Sequence, residues 1–431
     1  MSADVPGMPT VKERSLRRNV GFAVSGRAVF ALTQFGIIAV LTRLGTPEDV
    51  GALALASALV TPLFFLTSMG MREVHTVDDL DRFTRADYVA LRMLAGLLAV
   101  LMTLAILATF YTHAGWLVHG SAIAFAMVKY FGAQMSLNHG IFQRAERMDY
   151  VALSNLGRGG LGLGVFAAAF WLTENLPVAL AFESLAWLST YLFLDRPLLR
   201  RLGAAQPFSE LRNVHLSTIL ALAWWILPLG MALFMLRAAM SVPPILLERY
   251  VDFATVGIFG AIAYLHSALS MISNTLGSVT APRLRRYWRK ADRRAFVRLS
   301  LGMTLFAAGL GVVAVGIAVF AGEQVLRVLY GPGYDRADIF SIVMLASGIS
   351  ILGSPLVASV NAGQAFRRRL LTNVLAFVVV CALSLLLIPR IGALGAAWAM
   401  VGLTVTQTGL NALLYLSVLR SFPTTPQAET S

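Results

Sequence analysis

Residues 197–215, PLLRRLGAAQPFSELRNVH, carry Pro, Gly and five ionisable side chains but no apolar run, and long apolar runs stand on both sides of them. A hydrocarbon core of about 30 Å needs about 20 apolar residues per helix. Working back from this stretch, segments of that kind lie at roughly 178–196, 151–172, 118–140, 88–111, 50–70 and 20–42. Working forward, they lie at roughly 216–240, 254–276, 299–321, 338–360, 370–388 and 393–418. The fourth, sixth and tenth are interrupted by polar or small residues. The reading is an all-α integral membrane protein of about twelve transmembrane helices in two six-helix lobes. It assigns an N-lobe to 20–196, an inter-lobe linker to 197–215, a C-lobe to 216–418, and cytoplasmic tails to 1–19 and 419–431.

Composition excludes the soluble alternative. Of the 431 residues, 57% belong to the set AVILMFWYC and only 13% to DEKR, whereas a soluble domain is about 25% charged. The charge that remains is lopsided, with 35 Lys and Arg against 22 Asp and Glu, or +13. Placing the N-terminus in the cytoplasm puts 27 of the basic residues on inside segments and five (Arg43, Arg249, Arg327, Arg336 and Arg390) outside. That asymmetry is the positive-inside pattern, and one miscounted span would scramble it. The basic clusters at 283–298 and 367–369 therefore read as orientation signals and contacts to anionic membrane lipids, not as a nucleic-acid surface. The N-terminal run has the order of a signal peptide, but its apolar part is long and contains Arg27 and Gln34, so it reads as an uncleaved first span.

Several chemistries are excluded or demoted by motif. None of the three lysines follows a glycine, so there is no Walker A sequence, and none of the six histidines is followed by Glu, so there is no HExxH metal site. Cys381, the single cysteine, allows neither an internal disulfide nor a Cys-based zinc site. No cofactor, metal or catalytic residue is expected. Gly157, Gly159 and Gly162 satisfy GxGxxG, but they open a membrane helix, and close packing through Gly160 and Gly164 is the expected role. Asp79-Leu80-Asp81 resembles a metal-binding DxD and reads as a solvated charge run. Pro62, Pro228 and Pro355 are expected to kink their spans.

An internal repeat supports the two lobes. LGTPEDVGALALASAL, entering the second span, aligns with YVDFATVGIFGAIAYL, entering the eighth, with Val50-Gly51 matched to Val256-Gly257. A six-span offset preserves orientation, so the repeat is parallel, about an axis along the membrane normal. The outside loops are short and leave no room for a soluble catalytic domain, which favours a transporter.

Ionisable groups inside the spans are the candidates for chemistry, because burying them in lipid is costly. Arg27 lies about seven residues into the first span on a face with Gln34, either in the cytoplasmic half of a cavity or snorkelling to the inner headgroups. Lys129 sits near the middle of the fourth span, and Glu183 in the sixth is its candidate partner. A structural pair between them and a substrate or coupling-ion role are equal alternatives. Arg237 lies near the outer end of the seventh span, where snorkelling is a rival. If all three cations point inward, they make a net positive cavity suited to a phosphate or pyrophosphate. Asn138, His139, His266 and Asn274 are further candidates to line a polar path, with hydrogen-bonded packing as the alternative.

Four stretches carry a family resemblance: LTRLGTPEDVGALALA (41–56), LYGPGYDRAD (329–338), NAGQAFRRRL (361–370) and LLIPRIGALGAAWA (386–399). With the topology, they make the chain resemble the polysaccharide-exporter branch of the multidrug/oligosaccharidyl-lipid/polysaccharide flippase superfamily, the lipid-linked oligosaccharide and O-antigen flippases. The resemblance implies a non-enzymatic inner-membrane flippase. Its cargo would be polyprenyl-diphosphate-linked oligosaccharide for lipopolysaccharide, capsule or exopolysaccharide assembly, moved by rocking of the lobes. It implies polymerase and glycosyltransferase machinery as neighbours, and Arg27, Lys129 and Arg237 as the cations that receive the diphosphate. The rivals are an ion-coupled drug exporter of the multidrug and toxin extrusion type, expected to line its cavity with carboxylates, and a membrane-embedded polymerase or ligase, expected to carry a large outside loop.

Overall fold

The structure is a computed structural model that describes residues 16–72, 74, 83–204, 214–362 and 366–423. Among the described residues there is no strand. The long helices are α1 (Leu16–Leu44), α2 (Pro47–Ser68), α3 (Arg85–Phe110), α4 (Trp116–Arg144), α5 (Met148–Thr173), α6 (Leu176–Arg201), α7 (Leu216–Tyr250), α8 (Phe253–Arg289), α9 (Arg293–Tyr330), α10 (Ala337–Ala362) and α11 (Phe366–Arg420). Ten stretches are long and apolar enough to cross a membrane. α4 is not among them because Lys129, Gln134, Asn138 and His139 lower its hydropathy, yet its 29 residues reach on the order of 40 Å, enough to span. α11 is 55 residues long and breaks at Ile391 (φ −130°) and Gly392 (φ 56°), so it supplies two crossings. Adding α4 and that break brings the crossings to twelve.

Local sequence explains the helix starts. Thr46 caps α2 by accepting from the Asp49 amide at 3.3 Å, while Asp49 Oδ2 accepts from the Thr46 amide at 2.9 Å. Asp252 caps α8 by accepting from the Thr255 amide at 2.7 Å. Thr46 and Asp252 each stand four residues before the matched Val50 and Val256, and both valines are buried. The weak sequence repeat is thus the N-terminal geometry of two equivalent helices.

The chain divides into two compact units, 1–237 and 238–431, with the division inside α7. Within the first, α4 is the central helix and packs on α2, α3 and α6. Within the second, α10 is central and packs on α8, α9 and α11. Each unit therefore repeats the other's internal packing at an offset of six spans. Residues 205–213 of the linker assigned to 197–215 lie outside the described residues, as do Asp79–Asp81.

Two details differ from the sequence reading. α2 and α10 continue through Pro62 and Pro355 without a break in helical angles, which a proline whose φ is itself helical permits. The departures from helical angles fall at Ala321 and at Ile391–Gly392. The packing glycines are also different ones. Gly160 and Gly164 face open space, while a methyl group on Gly159 would meet Thr33 and Phe30 of α1, and one on Gly162 would meet Trp187 of α6 at 2.7 Å. Residues 157–161 form a π-helical turn, which rotates the face presented by the residues after it. Gly159→Val should lower the melting temperature of the detergent-purified chain, at a cost of about 1–3 kcal/mol. Gly160→Val should leave it unchanged, and equal effects at both positions would refute the assigned face.

A buried charge set in the first unit

The interior of the first unit carries charge on α3, where Asp87 and Arg92 are buried, and on α4, α5 and α6. Lys129 of α4 is half-buried, with its Nζ 4.8 Å from the centre of the Phe125 ring. Among the described residues no carboxylate comes within ion-pair distance of it, but Glu183, Arg158 and Arg237 are its charged neighbours. Glu183 on α6 is only 2% exposed. One turn further along α6, Trp187 packs edge-on to Phe30 of α1, with centroids 6.0 Å apart. Gly132 of α4 and Gly162 of α5 lie against Trp187 and hold these helices close. Arg237, on an exposed face of α7, lays its guanidinium over Phe65 of α2 at 4.5 Å.

Below this group lies a second one. Arg158, on the π-helical turn of α5, stacks on Phe30 at 3.9 Å and donates from Nη2 to Asn155 Oδ1 at 2.8 Å. Asp195 closes a second π-helical turn, Tyr191–Asp195 of α6, and is fully buried. Its Oδ2 accepts from Asn138 Nδ2 at a long 3.4 Å. His139, also buried, shares a 2.8 Å hydrogen bond between Nε2 and Ser154 Oγ. The turn from α4 into α5 is fixed by Arg147, which donates to both carboxylate oxygens of Asp149 at 2.9 and 2.8 Å and stacks on Tyr150. The Asp149 carboxylate holds the Arg147 guanidinium above its ordinary value, so it is permanently charged.

The sequence candidates therefore separate. Glu183 and Arg237 are charged neighbours of Lys129, Arg237 from an exposed position, Asn138 and His139 belong to the deeper group, and Gln34 is part-buried on α1. Arg27 lies on an exposed face of α1, one residue from Gly26, which packs against Ala152. In the second unit His266 is buried and bonds through Nδ1 to Ser347 Oγ at 2.9 Å, a contact that packs α8 on α10. Asn274 lies outside the described side chains. Sequence reading missed Arg158 and Asp195. The first was counted as an orientation signal and the second as the end of a span, although GRGGLGLG around Arg158 and a lone Asp closing an apolar run were the available signals.

Chemically, the interior is rich in donors. Arg158 Nε, Trp187 Nε1 and Gln34 Nε2 are buried without a partner, as is the acceptor Asp195 Oδ1. Buried polar atoms are rarely left so, and with Lys129 they suit water or an anionic oxygen.

Comparison with known proteins gives the following. The model of the polysaccharide biosynthesis protein family matches residues 16–288. The capsular polysaccharide biosynthesis protein CapF of Staphylococcus aureus is 26% identical over 408 residues, covering 92% of this chain and 97% of that one. Among solved structures, a MATE transporter of Vibrio cholerae, VcmN, superposes with a TM-score of 0.65 at 12% identity, covering 94% of this chain and 96% of that one. A MOP superfamily transporter from Pyrococcus furiosus, for which reverse polarity of the binding pocket suggests a different function, gives 0.62 at 14% identity, covering 94% and 95%. These likenesses fix the fold as that of a two-lobed membrane transporter.

Proposed function

We propose that this chain, which belongs to the polysaccharide biosynthesis protein family, is a flippase for polyprenyl-diphosphate-linked oligosaccharide units, carrying them across the inner membrane by alternating access for surface polysaccharide assembly. The observation that carries the reading is the sign of charge around Lys129: its charged neighbours are two further cations, Arg158 and Arg237, and one carboxylate, Glu183. A diphosphate needs cationic donors and gains charge-assisted hydrogen bonds from them, and a prenyl tail needs only the apolar lipid beside the helices. The name of the Staphylococcus aureus relative, a capsular polysaccharide biosynthesis protein, supports the same cargo class.

In this reading Lys129 and Arg237 hold the diphosphate, Arg27 meets it from the exposed face of α1, and Glu183 takes the coupling ion. Both termini are placed in the cytoplasm in this reading, in keeping with the arginine asymmetry. Anionic lipids contact the basic ends of α8 and α9, and the chain works beside polymerase and glycosyltransferase machinery without itself being an enzyme. A drug exporter shares the fold, but cationic drugs call for the opposite sign of cavity.

Removal of the chain should stop surface polysaccharide and strand the lipid-linked units on the inner leaflet, scored by their accessibility to an enzyme added on the outer side. Units that reach the outer leaflet at the normal rate would overturn the proposal. Arg27→Ala and Arg237→Ala should each lower surface polysaccharide with the protein retained in the membrane. Normal polysaccharide in both, and in Lys129→Ala, would remove the cationic site.

A further inference from the structure

We propose that the corner between α8 and α9 is a capture surface for the diphosphate headgroup of the lipid-linked substrate at the inner leaflet, an assignment that rests on the flippase reading for its cargo and its side of the membrane. Residues 283–298, RLRRYWRKADRRAFVR, hold eight basic side chains and one carboxylate. An orientation signal needs only the number of such residues and does not require them to lack partners. Yet Arg285, Arg286, Lys290, Arg293, Arg294 and Arg298 are all exposed, and among the described residues none of them makes an ion pair. Asp292, the carboxylate of the stretch, is used to cap α9 and accepts from the Ala295 amide at 2.9 Å. Exposed arginines on the segment read as outside are treated differently. Arg327 is paired with Glu323 and Asp335 at 2.9 and 3.1 Å, and Arg336 with Asp338 at 2.9 Å. Exposure alone therefore does not leave an arginine of this chain unpaired; the α8–α9 corner keeps its cations free for an anion from outside the protein.

The backbone holds these charges in place. The Asp292 amide donates to the Tyr287 carbonyl at 3.0 Å and Ala291 takes a left-handed φ of 55°, which closes α8 in the Schellman manner and turns the chain directly into α9. Underneath, Trp288 and Phe296 are buried, and the Phe422 ring packs on both, with centroids 4.7 and 5.2 Å away. The apolar side of the corner is thus satisfied within the unit, and the face left over is cationic. The 37 residues of α8 reach about 55 Å, against about 30 Å of hydrocarbon, so its last turns stand beyond the apolar layer. Arg298 directly precedes the apolar run 299–321, which brings the same surface back to the headgroup level. Clustered cations at that level attract anionic headgroups. A diphosphate carries more negative charge than the single phosphate of an ordinary phospholipid, so the surface enriches the substrate against the bulk lipid. Charges exposed to water act by steering and local concentration, which suits loading of a carrier that must later release its cargo.

The test uses the full-length chain in phosphatidylcholine nanodiscs, with a short-chain prenyl diphosphate as the probe. Wild-type affinity should fall as salt is raised, because exposed charges are screened and buried ones much less so. The fourfold variant Arg285→Gln, Arg286→Gln, Arg293→Gln, Arg294→Gln keeps Arg283, Arg289, Lys290 and Arg298 as the orientation signal. It should lose about tenfold in affinity and most of the salt dependence, whereas lysine at the same four positions should preserve both. Lys129→Ala should keep the salt-dependent part of the binding. Unchanged affinity in the Gln variant overturns the capture surface, and so does wild-type binding that is indifferent to salt, a result that needs no variant to fold. Displacement of the probe by an equal amount of phosphatidylglycerol also overturns it, by making the corner an ordinary lipid contact. Failure of the flippase reading has a different signature: lipid-linked units would cross without the chain, while the probe would still depend on the four arginines.

Discussion

Alanine at Lys129 abolishes surface polysaccharide while the chain stays in the membrane at its normal level. The expectation comes from what Lys129 costs. A lysine at the centre of a membrane helix is unfavourable by about 2.5–3.5 kcal/mol. The Phe125 ring, 4.8 Å from Nζ, returns only about 0.5–2 kcal/mol. No ion pair makes up the difference among the described residues, and two other cations of the group, Arg158 and Arg237, remain after its loss, so truncating it does not unfold the protein. Binding is affected in the opposite sense: a hydrogen bond from a charged group to a phosphate oxygen contributes about 1.5–3 kcal/mol, or roughly ten- to a hundredfold in affinity. Lys129→Arg keeps the charge on a larger planar group and should retain part of the activity. Immunoblots of surface polysaccharide against protein in the membrane fraction measure both quantities. A loss of protein in parallel with the polysaccharide would make Lys129 structural.

Different parts of this molecule were legible in the sequence to different degrees, and the helical period explains the difference. The twelve crossings follow from apolar length, and even the break in α11 falls in the interval between the eleventh and twelfth apolar runs, at Ile391 and Gly392. Val50-Gly51 and Val256-Gly257 exposed the repeat because each lies at a fixed distance from an N-cap, Thr46 or Asp252, where spacing is rigid. Faces inside spans were less legible. Counting in steps of four from Gly160 to Gly164 assumes an unbroken α-helix, and the π-helical turn at 157–161 moves the packing face onto Gly159 and Gly162. Arg158 rides on that same turn, so its inward aim toward Phe30 and Trp187 was invisible to periodicity. Lys129 and Glu183 were found because depth along a span is linear in residue number. Their lack of a direct ion pair was not legible, since it depends on side-chain distances across α4 and α6.

Glu183→Gln should lose both transport and stability, and a second substitution should return only one of them. Glu183 is 2% exposed and is the sole carboxylate among the charged neighbours of Lys129. Removing the carboxylate leaves the neighbouring cations uncompensated, which is destabilising, though without a direct ion pair the cost falls below the ~3–5 kcal/mol of a broken buried pair. Those cations are Lys129, with Arg158 and Arg237 beside it. The double variant Lys129→Met, Glu183→Gln removes the uncompensated pair together and should recover most of the melting temperature, since apolar replacement of a buried pair is often neutral or stabilising. Polysaccharide export should stay absent, because neither the coupling carboxylate nor the phosphate-binding cation is present. The cycle thereby separates the two roles that the sequence left open for these residues. Full recovery of export in the double variant would reduce Lys129 and Glu183 to a structural pair and move the chemistry to Arg237 and Arg27.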